Sequence, residues 1–100
     1  MAYERQVLER MLTRIPEGRV TRHGFLAAAL GTTPRAVAPA VCRWRGPGRI
    51  RVLLKGGWLP HQDDLDDCRQ RAKTLENEGL PISPDRRRVL VTDEEMWRPR

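Results

Sequence analysis

Apolar residues Tyr3, Val7, Leu8, Met11, Leu12 and Ile15 fall three or four positions apart, which predicts an amphipathic helix over Tyr3–Arg14. Ile15-Pro16-Glu17-Gly18 then reads as a turn. Arg19-Val20-Thr21 is too short to classify. Thr21 can cap a second helix, Arg22–Leu30, which carries Phe25, Leu26, Ala29 and Leu30 and ends at Gly31, a residue that tolerates a left-handed backbone. Thr33 and Pro34 fit the cap and first position of a third helix, Pro34–Arg43, whose interior Pro39 removes one backbone bond and favours a kink. Two short helices joined through Gly31-Thr32-Thr33 make a helix-turn-helix, and Ala36, Ala38 and Ala40 leave its second helix bare enough for close approach to a partner.

Gly46-Pro47-Gly48 interrupts this pattern. Arg49–Leu54 reads as a strand, and Lys55-Gly56-Gly57-Trp58-Leu59 as a turn into a second short strand, together forming a wing. A fourth helix is expected over Gln62–Glu78, with Gly79 ending it. Its aspartates Asp63, Asp64, Asp66 and Asp67 sit in the first turns and Arg69, Arg71 and Lys73 follow, an order that matches the helix dipole and reads as helix-end chemistry rather than a metal site. Arg86–Val91 is expected as a late strand, followed by an exposed tail with Met96 and Trp97. The fold class is therefore mainly α with a small β wing, a winged helix-turn-helix forming one domain over residues 1–100.

Composition fits that reading: 100 residues with 39% hydrophobic content support one modest core. No apolar run approaches the ~20 residues of a membrane span. The first residues lack a secretory layout, so a cytoplasmic, nucleoid-associated protein without membrane association is expected. Charge adds more. Residues 1–61 carry eleven basic residues against three glutamates, whereas residues 62–100 carry eight basic against ten acidic. Positive charge gathered in one stretch suits a polyanion such as nucleic acid, since neutralising phosphates releases counterions, although a solvated basic surface would look the same. Ten of the eleven are arginine, which favours planar hydrogen-bonding recognition. Cys42 and Cys68 have no partner at metal-ligand spacing and read as buried thiols acting as small hydrophobes. No metal and no cofactor are expected.

The order of these pieces resembles the DNA-binding domain of the O6-alkylguanine-DNA alkyltransferases, and more closely the alkyltransferase-like proteins. The resemblance is carried by Ile15-Pro-Glu-Gly-Arg-Val-Thr21, Gly24-Phe-Leu-Ala27, Gly31, Pro34-Arg35-Ala-Val-Ala-Pro-Ala-Val41 and Arg51-Val-Leu53, with Leu75-Glu-Asn-Glu-Gly79 and Met96-Trp-Arg-Pro99 completing it. It implies minor-groove binding by the second helix of the helix-turn-helix, rotation of an alkylated guanine out of the duplex, and an arginine, here Arg35, filling the gap. The DNA-facing set it implies comprises Thr21, Arg22 and His23, then Thr33, Pro34, Arg35, Ala36 and Ala38, with Arg43 and Arg51. His23 stands where relatives place a tyrosine, and is open to two readings, a phosphate contact or a plain surface histidine.

The enzymes of the family carry a Pro-Cys-His-Arg motif whose cysteine accepts the alkyl group. Aligned on Arg51, the stretch here is Gly48-Arg49-Ile50-Arg51, so Arg49 takes the cysteine position and Ile50 the histidine position. A nucleophile needs the sulfur and its activating neighbour, so alkyl transfer is expected to be absent. Alkyltransferase-like proteins usually have Trp at the cysteine position and keep the histidine, and this chain does neither. Arg49 and Ile50, with Gln62 at the position where relatives present an arginine, are the expected lesion-pocket residues. Trp58 either supplies an aromatic pocket wall or packs in the core. Three functions follow: a non-catalytic sensor of O6-alkylguanine in double-stranded DNA that flags it for nucleotide-excision repair proteins, a general winged-helix DNA binder, and a residual enzyme using Cys42 or Cys68. The first is expected, acting as a monomer.

Overall fold

Backbone punctuation sets where each helix starts and stops. A computed structural model describes residues 3–60 and 64–99. Helix α1 (Arg5–Arg14) buries Leu8 and Leu12 one turn apart and ends before the Pro16–Gly18 turn. Strand β1 (Thr21–Arg22) leads directly into α2 (His23–Leu30), which closes at Gly31, left-handed at φ 69°. The Gly31 N–H donates to the Ala28 carbonyl at 3.3 Å and the Thr32 N–H to that of Ala27 at 3.0 Å, satisfying carbonyls that a helix end leaves open. Helix α3 (Pro34–Arg43) starts as its sequence requires, with the Thr33 hydroxyl accepting the Ala36 N–H at 3.3 Å and Pro34 in the first turn. The α2–α3 pair turns through 112°, within the ~90–120° of a helix-turn-helix. Helix α4 (Leu65–Asn77) is capped by the Asp64 carboxylate, which accepts the Asp67 N–H at 3.1 Å.

The core has two halves sewn together by strand β2 (Val52–Leu53). Its residues point to opposite faces, as successive strand residues must. Val52 joins Leu8, Leu12, Leu26, Val37 and Val41 among the first three helices, and Leu53 joins Val20, Leu59, Ala72, Leu75 and Val89 beneath α4. β2 pairs in parallel with β1, Thr21 opposite Val52 and Arg22 opposite Leu53. The protein is thus mainly helical with a small two-stranded parallel sheet. No single described helix is long and apolar enough to cross a membrane.

Several expectations give way to this packing. The wing ladder does not form: Arg49–Arg51 is a 3-10 turn, and β2 takes its hydrogen bonds from β1 rather than from the segment after it. Gly48, at φ 86°, is responsible for the first change, because it lies against the Leu12 carbonyl where a Cβ would overlap the oxygen. The chain does reverse at Gly56 and Gly57, with the Leu54 N–H donating to Trp58 at 2.8 Å, but Trp58 then bridges to Arg88. The expected late strand, Arg86–Val91, is reduced to that bridge and one between Ile82 and Val89. The first helix starts at Arg5, not Tyr3, and the fourth at Leu65. Thr21 lies in β1, and Arg22 precedes α2 without a side-chain cap. The tail is not exposed as a whole: Met96 is buried and the Trp97 N–H donates to the Val20 carbonyl at 2.8 Å. Of the two cysteines Cys68 is buried and Cys42 exposed.

Candidate nucleic-acid interface and the pocket behind it

Val37 and Val41 turn one face of α3 into the core, which leaves Arg35, Pro39 and Arg43 outward. Arg35 sits in the first turn, where free backbone N–H groups and the helix dipole favour an anion. Thr33 and Pro34 are exposed beside it, while Ala36 is half-buried and held from behind by the Tyr3 hydroxyl, which donates to its carbonyl at 3.3 Å. Among the described residues, no carboxylate pairs with Arg35 or Arg43.

Arg22 is held differently. Its guanidinium lies 4.6 Å from the Phe25 ring centroid and pairs with Asp93 at 3.3 Å, and Arg98 covers the same ring at 4.5 Å. The C-terminal segment therefore fixes this arginine at the start of α2. His23 is partly buried and hydrogen-bonded to the Leu53 backbone. Burial lowers its pKa against the smaller opposing effect of that bond, favouring the neutral ring.

Two residues expected to face DNA are turned inward. Thr21 is wholly buried, and its hydroxyl has no partner among the described residues. Arg51 forms a two-point ion pair with Glu78, the side chains only 13% and 8% exposed, with one contact at 2.8 Å. Glu78 also accepts the Gly18 N–H at 2.7 Å, so the pair fastens the turn after α1 to the end of α4. The Arg51 hydrogen bonds hold the Glu78 carboxyl below its ordinary pKa, and Glu78 in turn raises that of Arg51.

Behind α3 lies a pocket of about 270 Å³, just under the ~300 Å³ low end for small-ligand sites. Ala38, Val41, Val52, Leu54 and Pro60 give it apolar walls, and Cys42 and His23 line it as well. Arg49 and Arg71 supply charge. They share Asp67, which accepts from Arg71 Nε at 2.7 Å and lies 3.7 Å from Arg49 Nη1, while Arg71 Nη1 donates to the Arg49 carbonyl at 3.3 Å. The Arg49 Nε is buried without a partner among the described residues. The loop delivering Arg49 is pinned by the Trp44 indole N–H, which donates to the Pro47 carbonyl at 2.9 Å.

The structure thus brings Arg49, expected in the pocket, to one cavity with His23 and Ala38, expected to face DNA, but not the other expected pocket residues. Ile50 packs against the second half of the core. Trp58 is 40% exposed, with the Arg88 guanidinium 5.6 Å from its ring, and so is neither pocket wall nor core. Gln62 lies outside the described residues. Arg71 and Asp67 were missed, although their i,i+4 spacing on the fourth helix was a readable sign of a pair. Among the described residues no group of three His, Cys, Asp or Glu side chains could hold a metal.

These features define a helix-turn-helix domain with a pocket, lined in part by two arginines, behind its second helix. No protein-family model matches the chain. A methylated-DNA–protein-cysteine methyltransferase of Archaeoglobus fulgidus is 38% identical over 85 residues, covering 79% of this chain and 57% of that protein's length. The structure of S. pombe Atl1 in complex with damaged DNA containing O6-carboxymethylguanine superposes with a TM-score of 0.75 at 22% identity, covering 95% of this chain and 94% of the other. A structure of S. pombe ATL in complex with DNA gives the same values. The chain is therefore a homologue of a methylated-DNA–protein-cysteine methyltransferase and has the fold of the alkyltransferase-like protein. It spans just over half the length of that curated relative.

Proposed function

We propose that this chain is a non-catalytic DNA-damage-binding protein that recognises O6-alkylguanine in duplex DNA through the minor groove. The observation that carries the reading is the pocket directly behind α3, lined in part by Arg49, the residue that by resemblance takes the place of the enzymes' cysteine. Helix α3 lies along the groove, Arg35 enters the stack, and the alkylated base turns out toward the pocket. Extrusion costs a few kcal/mol, less where pairing is already weakened, which gives preference for the lesion. Arg43 supplies phosphate contact at the other end of α3, and the neutral His23 lines the path of the extruded nucleotide. With no thiol at the acceptor position the alkyl group stays on the base, and the bound complex is handed to nucleotide-excision repair proteins. The protein acts as a monomer in the cytoplasm, on nucleoid DNA.

The test compares affinities for matched duplexes with and without one O6-methylguanine at the same salt concentration, since phosphate contacts alone are salt-dependent and sequence-blind. Tighter binding of the lesion duplex, with an unchanged protein mass afterwards, is expected. Equal affinities would overturn the lesion reading and leave a general DNA binder. A protein mass increased by one methyl group would instead reveal an enzyme.

A further inference from the structure

Resting on the reading of α3 as the groove helix, we propose that the outer face of α1, with Trp44, is a second DNA-backbone site, which takes the strand opposite the lesion. An α-helix with its side chains is about 10–12 Å across and the minor groove about 6 Å wide. A helix lying along that groove therefore has one strand's backbone on each flank. At 3.6 residues per turn, the inward Val37 and Val41 put Ala38 and Cys42 on one flank of α3 and Ala36, Ala40 and Arg43 on the other. The first flank lines the pocket that receives the extruded base. The second is bordered by α1: Tyr3, just before it, donates to the Ala36 carbonyl, and Trp44, just after α3, forms a cleft with Gln6, Glu9, Arg10, Thr13 and Arg14.

That cleft has the chemistry of a phosphate track. Its α1 residues follow one another three or four positions apart, a single polar stripe on the side of the helix away from Leu8 and Leu12. The helix carries three arginines and one glutamate, and that glutamate, Glu9, is held by Arg5 at 3.6 Å. Arg10 and Arg14 are exposed, and among the described residues no carboxylate pairs with them. Guanidiniums along one stripe, with the Gln6 amide beside them and Arg43 across the cleft on α3, suit successive phosphates of one strand. Trp44 has its indole N–H committed to the Pro47 carbonyl, so it offers ring surface rather than a competing donor.

The experiment walks neutral methylphosphonate linkages, two at a time, along each strand of a duplex with one O6-methylguanine, and measures the affinity of the full chain and of Arg10→Gln/Arg14→Gln. Both side chains are exposed and the Arg5–Glu9 pair is untouched, so the variant should keep the wild-type urea midpoint. At one position of the opposite strand the wild type should lose about fivefold in affinity. The variant should already bind the fully charged duplex about fivefold more weakly and lose nothing further at that position. Arg10→Lys/Arg14→Lys should retain most of the wild-type loss. Along the lesion strand the proteins should respond alike. Equal responses of variant and wild type all along the opposite strand would overturn the site. A loss abolished by the variant on the lesion strand instead would overturn the strand assignment. Either result leaves the lesion reading standing while the wild type still prefers the lesion duplex to one with plain guanine. Absence of that preference would overturn the lesion reading and this inference together.

Discussion

Replacing Arg51 with methionine should cost stability without changing how the protein meets DNA. The side chain keeps most of the arginine stem and loses the charge. What remains is a Glu78 carboxylate only 8% exposed, with the Gly18 N–H as its surviving described hydrogen bond. Breaking a buried pair on one side costs ~3–5 kcal/mol. The 13% exposure of Arg51 admits some water, so ~2–3 kcal/mol is the reasonable figure here. For a domain of this length that lowers Tm by about 10–20 °C. The sign with pH follows from Glu78, whose pKa is depressed in the folded state. The pair's contribution is therefore present above the ordinary carboxylate pKa and is lost as pH falls through the lower, folded one. Urea denaturation of wild type, Arg51→Met, Glu78→Gln and the double variant, from neutral pH downward, yields the coupling energy directly. A coupling near zero at neutral pH, or one unchanged in acid, would refute the reasoning. In parallel, the salt dependence of DNA affinity in Arg51→Met should match wild type. A slope shallower by ~0.9 would mean that Arg51 contacts a phosphate after all.

Other substitutions probe the backbone around the site. Gly48→Ala combines a left-handed φ of 86° with overlap against the Leu12 carbonyl, so a loss of ~3 kcal/mol or more in chemical denaturation is expected. A near-neutral result would show that the Arg49 loop is not fixed by that contact. Pro39→Ala restores an N–H for the Arg35 carbonyl in the exposed face of α3 and should stabilise the fold by ~1–2 kcal/mol, after allowing for a freer unfolded chain. Unchanged or reduced stability would mean that the proline costs α3 nothing.

The helices were legible because their signals are local. Thr33-Pro34 and Gly31 mark one start and one stop, and the Val37–Val41 spacing marks an inward face, all readable within a few residues. The wing was misread because Arg49–Leu54 has the composition of a strand, while its pairing is decided elsewhere. Gly48 must fit under Leu12, and β1, too short to recognise alone, is the partner β2 finds. The site divides along the same line. The roles proposed for Arg35 and Arg49 rest on position in a motif. Arg51 reads in the sequence as a DNA-facing motif residue, whereas α4 places Glu78 against it, and Trp58 faces Arg88 through a bridge between distant segments. Arg71 enters the pocket only because α4 packs across β2, a tertiary fact that no count along the chain supplies.

The central claim is that Arg35 enters the duplex as the damaged base leaves it for the pocket behind α3. A fluorescence titration with 2-aminopurine placed next to O6-methylguanine tests this most directly, because the analogue is quenched while stacked. Wild-type protein should raise its emission on binding, with much less increase for Arg35→Ala at saturating concentrations of folded protein. Tight binding of the wild type with the emission unchanged would contradict the account.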